Sequence, residues 1–600
     1  MKAGAEIRDI RVNTASGSFV YGGGQFSFTR DYTQRLPAFS DANSGAALAS
    51  LLLGAPSNGI ISFTPALAYR WGYYAFYFQD DIKMTQKLTV NLGLRYDVEG
   101  SPTERYNRQN RGFGLTQANP LAAAAKTANT ADCPACANLT GGLLFAGVSG
   151  QPREAFNTDY NHWQPRIGAA YALAKNTVVR GGYGLFYLPE AAFGGVAGFA
   201  ADTPFVSTLG GGAASFIPAN TLSNPFPNGL IQPTGAALGL STFGGNNVTF
   251  NNPNRLIPHV HQFSLGVEHQ LPWNVKVGAS YVGSRTVNIN TNDNQSGGAR
   301  NLNVNTAAQL AQARQDSNYF NQAVPNPFAG LLAGTGLNGA TIRRQQLLLP
   351  FPEFGNVSEG QESVGKISYD SAQLSVEKRY TAGLALVAAY TFSKNLESVA
   401  FLNNQDPRPT RNLTSSDRPH RLVLSGVYQL QFGRGKYFGK SVGRGWDRLI
   451  GGWEYNFIGT IQSGTPLDLP GNVDIIGNPA ASNQSFNTWF NPCVVQQNGA
   501  ALRPNTSHTK FDQPCSNPAW SIRGPFVRNP WAKQWDMSLN KRFNITERYN
   551  AQFRFEAFNV FNTPIRGGPN TNPTDPNFGF VGPNQSNFPR QVQLGFKFNF

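Results

Sequence analysis

Two histidines spaced by one residue are the first candidates for chemistry. His259 and His261 in PHVHQF would share one face of a strand, and imidazole pairs ligate metals. Two ligands without a third define no metal centre. Asp80 and Asp81 are adjacent, so a strand points them to opposite faces and away from a common calcium site. Cys133 and Cys136 stand in CPAC, with Cys493 and Cys515 far away. A zinc site needs four clustered ligands, and a redox CxxC opens a helix, whereas ADCPACANLT lies in loop-like sequence. The four cysteines therefore read as loop disulfides formed in an oxidising compartment. No Ser-His-Asp grouping, phosphate loop or HExxH occurs, and no carboxylate pair is set apart as acid and base. The expectation is a protein that is no enzyme and carries no cofactor.

A larger set of charged residues recurs in a different pattern. Arg95, Asp97, Arg166, Arg180, Glu268, Glu377, Arg379, Glu454, Asp536, Arg542, Arg554 and Glu556 lie in segments where apolar and polar residues alternate. In KLTVNLGLRYD, residues 87–97, Leu88, Val90, Leu92, Leu94 and Tyr96 fall on one phase. Thr89, Asn91, Arg95 and Asp97 fall on the other, the two-residue period of a strand. The same alternation runs through NVKVGASYVG, AQLSVEKRY, RLVLSGVYQLQF, QWDMSLNKRF and YNAQFRFEAF. It also forms the chain's last stretch, RQVQLGFKFNF, with Phe596, Phe598 and Phe600 on the apolar phase.

These segments run to about ten or eleven residues, enough at ~3.3 Å per residue and a tilt near 40° to cross an outer-membrane wall. Their connections alternate between short, such as LPWN and YTAG, and long stretches rich in Asn, Gly, Pro and Ser. Short turns on one side and long loops on the other are the asymmetry of bacterial outer-membrane barrels. Fifteen strands are expected, beginning near residues 3, 18, 71, 86, 162, 176, 260, 274, 367, 383, 419, 450, 533, 549 and 590. With fifteen, the first and last run in the same direction and the barrel joins imperfectly, leaving the edge near residues 3–13 exposed.

Bulk composition agrees. Charged residues are 14% and aromatics 12% of the 600-residue chain, too aromatic for disorder. Its longest apolar run, AALASLLLG at 46–54, is half a membrane helix and reads as a short helix capped near Asn43 and Ser44. The formal charge of +15 is scattered, with no basic run of five, which argues against a nucleic-acid partner. Met1 is followed by KAGAEIRDIRVN, without the apolar core of a signal peptide.

Several stretches carry a resemblance. FYFQDDIKMTQKLTVNLGLRYD, PRIGAAYALAKNTVVRGGYGLFY, LALVAAYTFSKNLES, SDRPHRLVLSGVYQLQFG and LNKRFNITERYNAQFRFEAFNVFNTP resemble the barrel of TonB-dependent receptors, in the Oar-like branch. The resemblance implies an all-β transmembrane antiparallel barrel of the bacterial outer membrane, with 22 strands in the intact family. Residues 1–600 would then be a partial barrel without plug, signal peptide or early strands. The implied function is energy-coupled uptake of a large solute, such as an oligosaccharide, peptide or metal chelate. A passive pore and an adhesive or structural surface protein are the alternatives. Implied partners are outer-membrane lipid, lipopolysaccharide, the barrel-assembly machinery at Phe596, Phe598 and Phe600, and the TonB complex through an N-terminal region.

The twelve charged residues then read as lumen-facing. They either guide a ligand or pair across strands, and pairing is the favoured reading because opposite charges on neighbouring strands stabilise one another. Trp163, Trp489, Phe490 and Trp520 could stack on sugar rings, but girdle anchoring and loop packing account for them equally well. This topology predicts that protease added to intact cells cuts within 99–161, 188–259, 285–366 or 463–532. Cleavage confined to YTAG and LPWN would reverse the orientation.

Overall fold

The alternating segments pair into one wall. A computed structural model describes residues 1–14, 23–35, 43–188, 192–208, 218–291, 299–401, 404–467, 474–475, 481, 483–490, 494–495, 527–544, 548–572, 575, 577 and 579–600. Sixteen strands join the main sheet, and fourteen of them follow one another along it in chain order. They are β1 (Lys2–Thr14), β2 (Leu67–Lys83), β3 (Leu88–Glu99), β4 (Trp163–Ala174), β5 (Thr177–Tyr187), β6 (His259–Leu271) and β7 (Val275–Ile289). There follow β8 (Gly365–Thr381), β9 (Leu384–Ala400), β10 (His420–Gln429), β11 (Trp453–Gln462), β12 (Ala532–Asn544), β13 (Asn550–Phe558) and β14 (Gln591–Asn599). Every neighbouring pair on this path is antiparallel.

The expected strand near residue 18 lies outside the described residues, and β1 pairs directly with β2. This corrects the strand parity. On a fourteen-strand path of antiparallel steps, β1 and β14 run in opposite directions, so the same-direction seam does not arise. Among the described residues no ladder joins β1 to β14.

Register separates two faces. Phe78 opposes Leu94, Leu265 opposes Tyr281, Leu374 opposes Tyr390, Leu539 opposes Phe555, and Phe553 opposes Phe596. Such pairs build an apolar face that remains solvent-accessible, as a lipid-facing surface must. The longest strands, β2, β8 and β9, have 17 residues. That length spans about 43 Å when tilted, against an apolar band of about 25 Å, so these strands project beyond the hydrocarbon. The change is visible on the apolar face itself. Below Ala372 it carries Leu374 and Val376; above, Asp370 pairs with Arg285 at 2.8 Å.

One rim holds tight turns. Ala382 and Gly383 both have positive φ, 51° and 82°, the backbone of a two-residue type I′ hairpin whose twist suits the strands it joins. Pro272–Asn274 turns with Trp273 at φ 60°. A departure occurs between β10 and β11, where residues 430–452 on this same rim contain α2 (Arg444–Ile450). Near the start of the chain α1 (Ala47–Leu52) forms as expected, but its cap differs. Ala46 is the N-cap and makes no side-chain cap bond, while the Ser44 hydroxyl instead accepts the Arg35 N–H at 3.0 Å.

The wall assignment predicts a face-dependent response to charge. Leu92 is unsuited to the test because Asp80 stands opposite it and would partner an arginine. Leu265, at mid-strand opposite Gly181 and Tyr281, has no such neighbour across the ladder. Leu265→Arg is expected to cost roughly 2–4 kcal/mol of folded barrel in lipid, whereas Ser264→Arg on the polar face is tolerated. Urea titration of the membrane-inserted protein distinguishes them, and equal losses would refute the face assignment.

Candidate functional site

The polar face gathers the charged residues that the alternation singled out. Following the ladders from β3 to β14, eleven of the twelve share one face, opposite the apolar one. Arg379 is the exception, because it falls in a register shift between Lys378 and Thr381 where the ladder gives it no opposite residue.

The geometry is mostly that of local pairing. Glu377 meets Lys276 across the strand at 3.1 Å, and Arg180 approaches Glu268 at 3.9 Å. Arg166 lies 4.5 Å over the Phe186 ring. Asp536 accepts the Asn559 N–H at 2.8 Å, and Glu454 accepts from Asn456 at 3.5 Å. Arg554 donates to Gln552 at 3.3 Å. Arg542 stands opposite Gln552, and Glu556 between Ser538 and Gln593.

The tightest group surrounds Asp97, where β3 enters the loops. Its carboxylate accepts from Tyr73 at 3.0 Å, Arg95 at 3.1 Å and Gln164 at 2.7 Å, with His162 at 3.8 Å. Arg95 also reaches Glu6 at 3.6 Å. Lys276, Glu6, Gln164 and Tyr73 were not singled out from sequence, although Lys276 sits on the polar phase of NVKVGASYVG, where the alternation shows it.

The other candidates divide plainly. His259 and His261 share a face, but it is the apolar one, beside Tyr187 and Tyr183. The Tyr183 hydroxyl is 2.8 Å from His261 Nδ1. Among the described residues no group of three His, Cys, Asp or Glu side chains is arranged to hold a metal ion. Cys133 and Cys136 form a disulfide; Cys493, Cys515 and Trp520 lie outside the described residues. Trp163 packs on Tyr96 at 4.4 Å on the apolar face. Phe490 is buried with Leu467 and Val527, and Trp489 packs on that cluster while its indole N–H donates to the Arg528 carbonyl at 2.6 Å.

On the rim opposite the tight turns, the long connections fold together. Phe113, Leu143, Phe145, Val248, Phe250, Phe351, Phe354 and Val357 come from three connections and form one buried cluster. A second cluster joins Cys133, Cys136 and Leu139 to Phe328, Leu332 and Leu347. Val248–Asn251 pairs in parallel with Val357–Gly360, which only distant segments can do. The long connections are therefore not structureless: they make a cap with its own core. Beside it, on the two-residue strand Thr103–Glu104 that pairs with the rim end of β2, Glu104 is fully buried, and its carboxylate accepts from the Arg108 side chain at 3.0 Å and from the N–H groups of Ala68, Tyr106 and Arg108. Burial opposes ionisation there, but these donors outweigh it and hold the carboxyl below its ordinary range.

Glu353 is the contrary case. It is 0% exposed between Phe351 and Phe354, and its carboxylate oxygens meet no hydrogen-bond donor among the described residues. Burial pushes its pKa up to about 8.

Comparison with known proteins places the wall. A family described as outer membrane beta barrel domain matches residues 1–593. Among solved structures, the ferripyoverdine receptor of the outer membrane of Pseudomonas aeruginosa is 11% identical. It aligns over 91% of this chain and 39% of that one, with a TM-score of 0.34. The ferric-catecholate import receptor Fiu from E. coli K12 is 10% identical over 90% of this chain and 50% of that one, with a TM-score of 0.36. The ferric preacinetobactin receptor BauA from Acinetobacter baumannii is 10% identical over 90% and 45%, with a TM-score of 0.35. The chain thus spans about half or less of the length of these structures. No curated protein matches it.

Glu353 makes the cap pH-dependent. Its folded pKa lies above the ordinary carboxyl value of 4.5, so its contribution is fully present below that value and is lost as pH rises through about 8. The hydrogen-exchange protection factor across 351–357, which removes the intrinsic base-catalysed rise in rate, is expected to fall between those limits, and Glu353→Gln to flatten that fall. An unchanged profile in the variant would remove Glu353 as the cause.

Proposed function

We propose a receptor function, from the premise that this chain belongs to the outer membrane beta barrel domain family and resides in the bacterial outer membrane. In this reading the wall is part of a TonB-dependent receptor barrel that takes up a large solute. The observation that supports it is a wide wall joined to a folded cap. About eight strands fill their own interior with side chains, whereas larger barrels leave a lumen; a wall of fourteen strands belongs to the larger class, with room inside it. The cap then lies over the entrance to that room, built from three interlocked connections.

The polar-face charges keep the lumen wall hydrated and pair with one another, and the cap makes first contact with the solute. An oligosaccharide, a peptide and a metal chelate all fit this scheme. Lipid and lipopolysaccharide surround the apolar face, and the assembly machinery reads the Phe596, Phe598 and Phe600 strand. Energy coupling runs through a plug domain of the whole receptor, and the chain itself performs no chemistry.

Growth on panels of scarce solutes tests the proposal. A strain lacking this gene and a strain lacking TonB are expected to fail on the same solute. Failure of the first strain alone would indicate a passive pore, and loss of surface attachment with normal growth an adhesin.

A further inference from the structure

We infer that residues 430–452 form a foot that binds the anionic phospholipid headgroups of the leaflet on the tight-turn side. The observation is an exception to the topology. The other described connections on that rim are tight turns, yet this one is long enough to fold and contains α2.

Its attachment points place it. The Leu430 N–H donates to the Trp453 carbonyl at 2.9 Å, and the Trp453 indole donates to the Leu449 carbonyl at 3.0 Å. Lys541 Nζ donates to the Gly451 carbonyl, and the Arg542 N–H to Gly452 at 3.0 Å. Trp453 and Lys541 oppose one another on the apolar phase of β11 and β12. The Leu449–Gly452 end of the foot therefore sits beside the lipid-facing side chains of the rim, while Lys436 reaches back to the polar-face Gln429 at 3.1 Å.

Its exposed chemistry matches that location. Tyr437 is 84% and Trp446 66% exposed, with Phe438 and Leu449 also open. An amphipathic aromatic ring at a strand end belongs at the headgroup level. Trp273, 83% exposed in its turn, continues this girdle along the same rim. Between the rings stand Arg434, Lys436, Lys440, Arg444 and Arg448, against a single acid, Asp447. That acid is engaged internally, accepting the Arg434 N–H at 2.6 Å. The segment is thus basic as well as aromatic, the combination that anionic lipid attracts. A wall polymer or soluble polyanion would use the charges but would leave the lipid-side rings without purpose.

The inference rests on outer-membrane residence and does not need the receptor reading. The test uses protein extracted from outer membranes in neutral detergent, titrated with short-chain phosphatidylglycerol or phosphatidylcholine. Thermal unfolding and retained lipid by native mass spectrometry are followed. Phosphatidylglycerol is expected to raise the midpoint and phosphatidylcholine to leave it unchanged. Removal of each basic residue is expected to weaken binding about fivefold, so a variant carrying R434Q, K440Q, R444Q and R448Q loses the shift. Retained heat-modifiable gel mobility shows that this variant is folded, and Trp446→Ser gives a partial loss. Equal responses in wild type and the fourfold variant would overturn the inference. So would an equal shift from inorganic phosphate, or a shift from peptidoglycan fragments without one from lipid.

Discussion

Everything in this molecule follows from the backbone. In hydrocarbon a peptide N–H or C=O without a partner costs several kcal/mol, so a spanning chain must pair all of them within itself. Strands meet this demand only by lying beside strands, and the fourteen-strand path does so with antiparallel neighbours throughout. That arrangement is one residue thick. It cannot bury side chains within itself as a soluble domain does, and hydrophobic Leu594 and Phe596 accordingly remain exposed on the sheet face, where lipid covers them.

The hydrophobic effect that ordinarily builds a core acts elsewhere. Where the chain leaves the membrane, lipid no longer covers apolar residues and they must cover one another. The buried phenylalanines Phe328, Phe354 and Phe490 all lie in connections, none in the wall. The cap is in this sense the soluble part of the protein, with ordinary cores and a short cross-link between Cys133 and Cys136. It also tolerates what the wall does not: a buried carboxyl at Glu353 that burial alone keeps protonated over a wide pH range.

This division explains what could be read from sequence. A strand with one lipid face and one wet face writes its structure locally, as a two-residue period, so KLTVNLGLRYD or YNAQFRFEAF assigns its own faces. The polar-face charges came out on one face for that reason. Arg379 escaped because a register shift breaks the period at that point. The cap was illegible because its contacts are non-local. Phe113 meets Phe250 and Phe354 across more than a hundred residues, and nothing in the Asn- and Gly-rich stretches around them has a period. The foot at 430–452 was missed for another reason: its neighbours RLVLSGVYQLQF and GGWEYNFIG read as strands, and the interval between them held no alternation to interpret.

The same logic bears on where selectivity resides. Glu377 is matched by Lys276, Arg95 by Asp97 and Glu6, and Arg180 by Glu268, all within the wall. A charge already matched by its neighbour projects a weak field at a distance, since the pair is close to a dipole. In the receptor proposed above, such a face keeps water in the lumen without holding a solute strongly, and strong retention there would slow release. Discrimination then has to come from groups arranged in depth, with exclusion of water and several contacts at once. Among the described residues, the cap offers such an arrangement, with three connections packed against one another. In the receptor proposed above, the wall contributes passage and the cap contributes choice, because the cap packs distant segments into cores of its own.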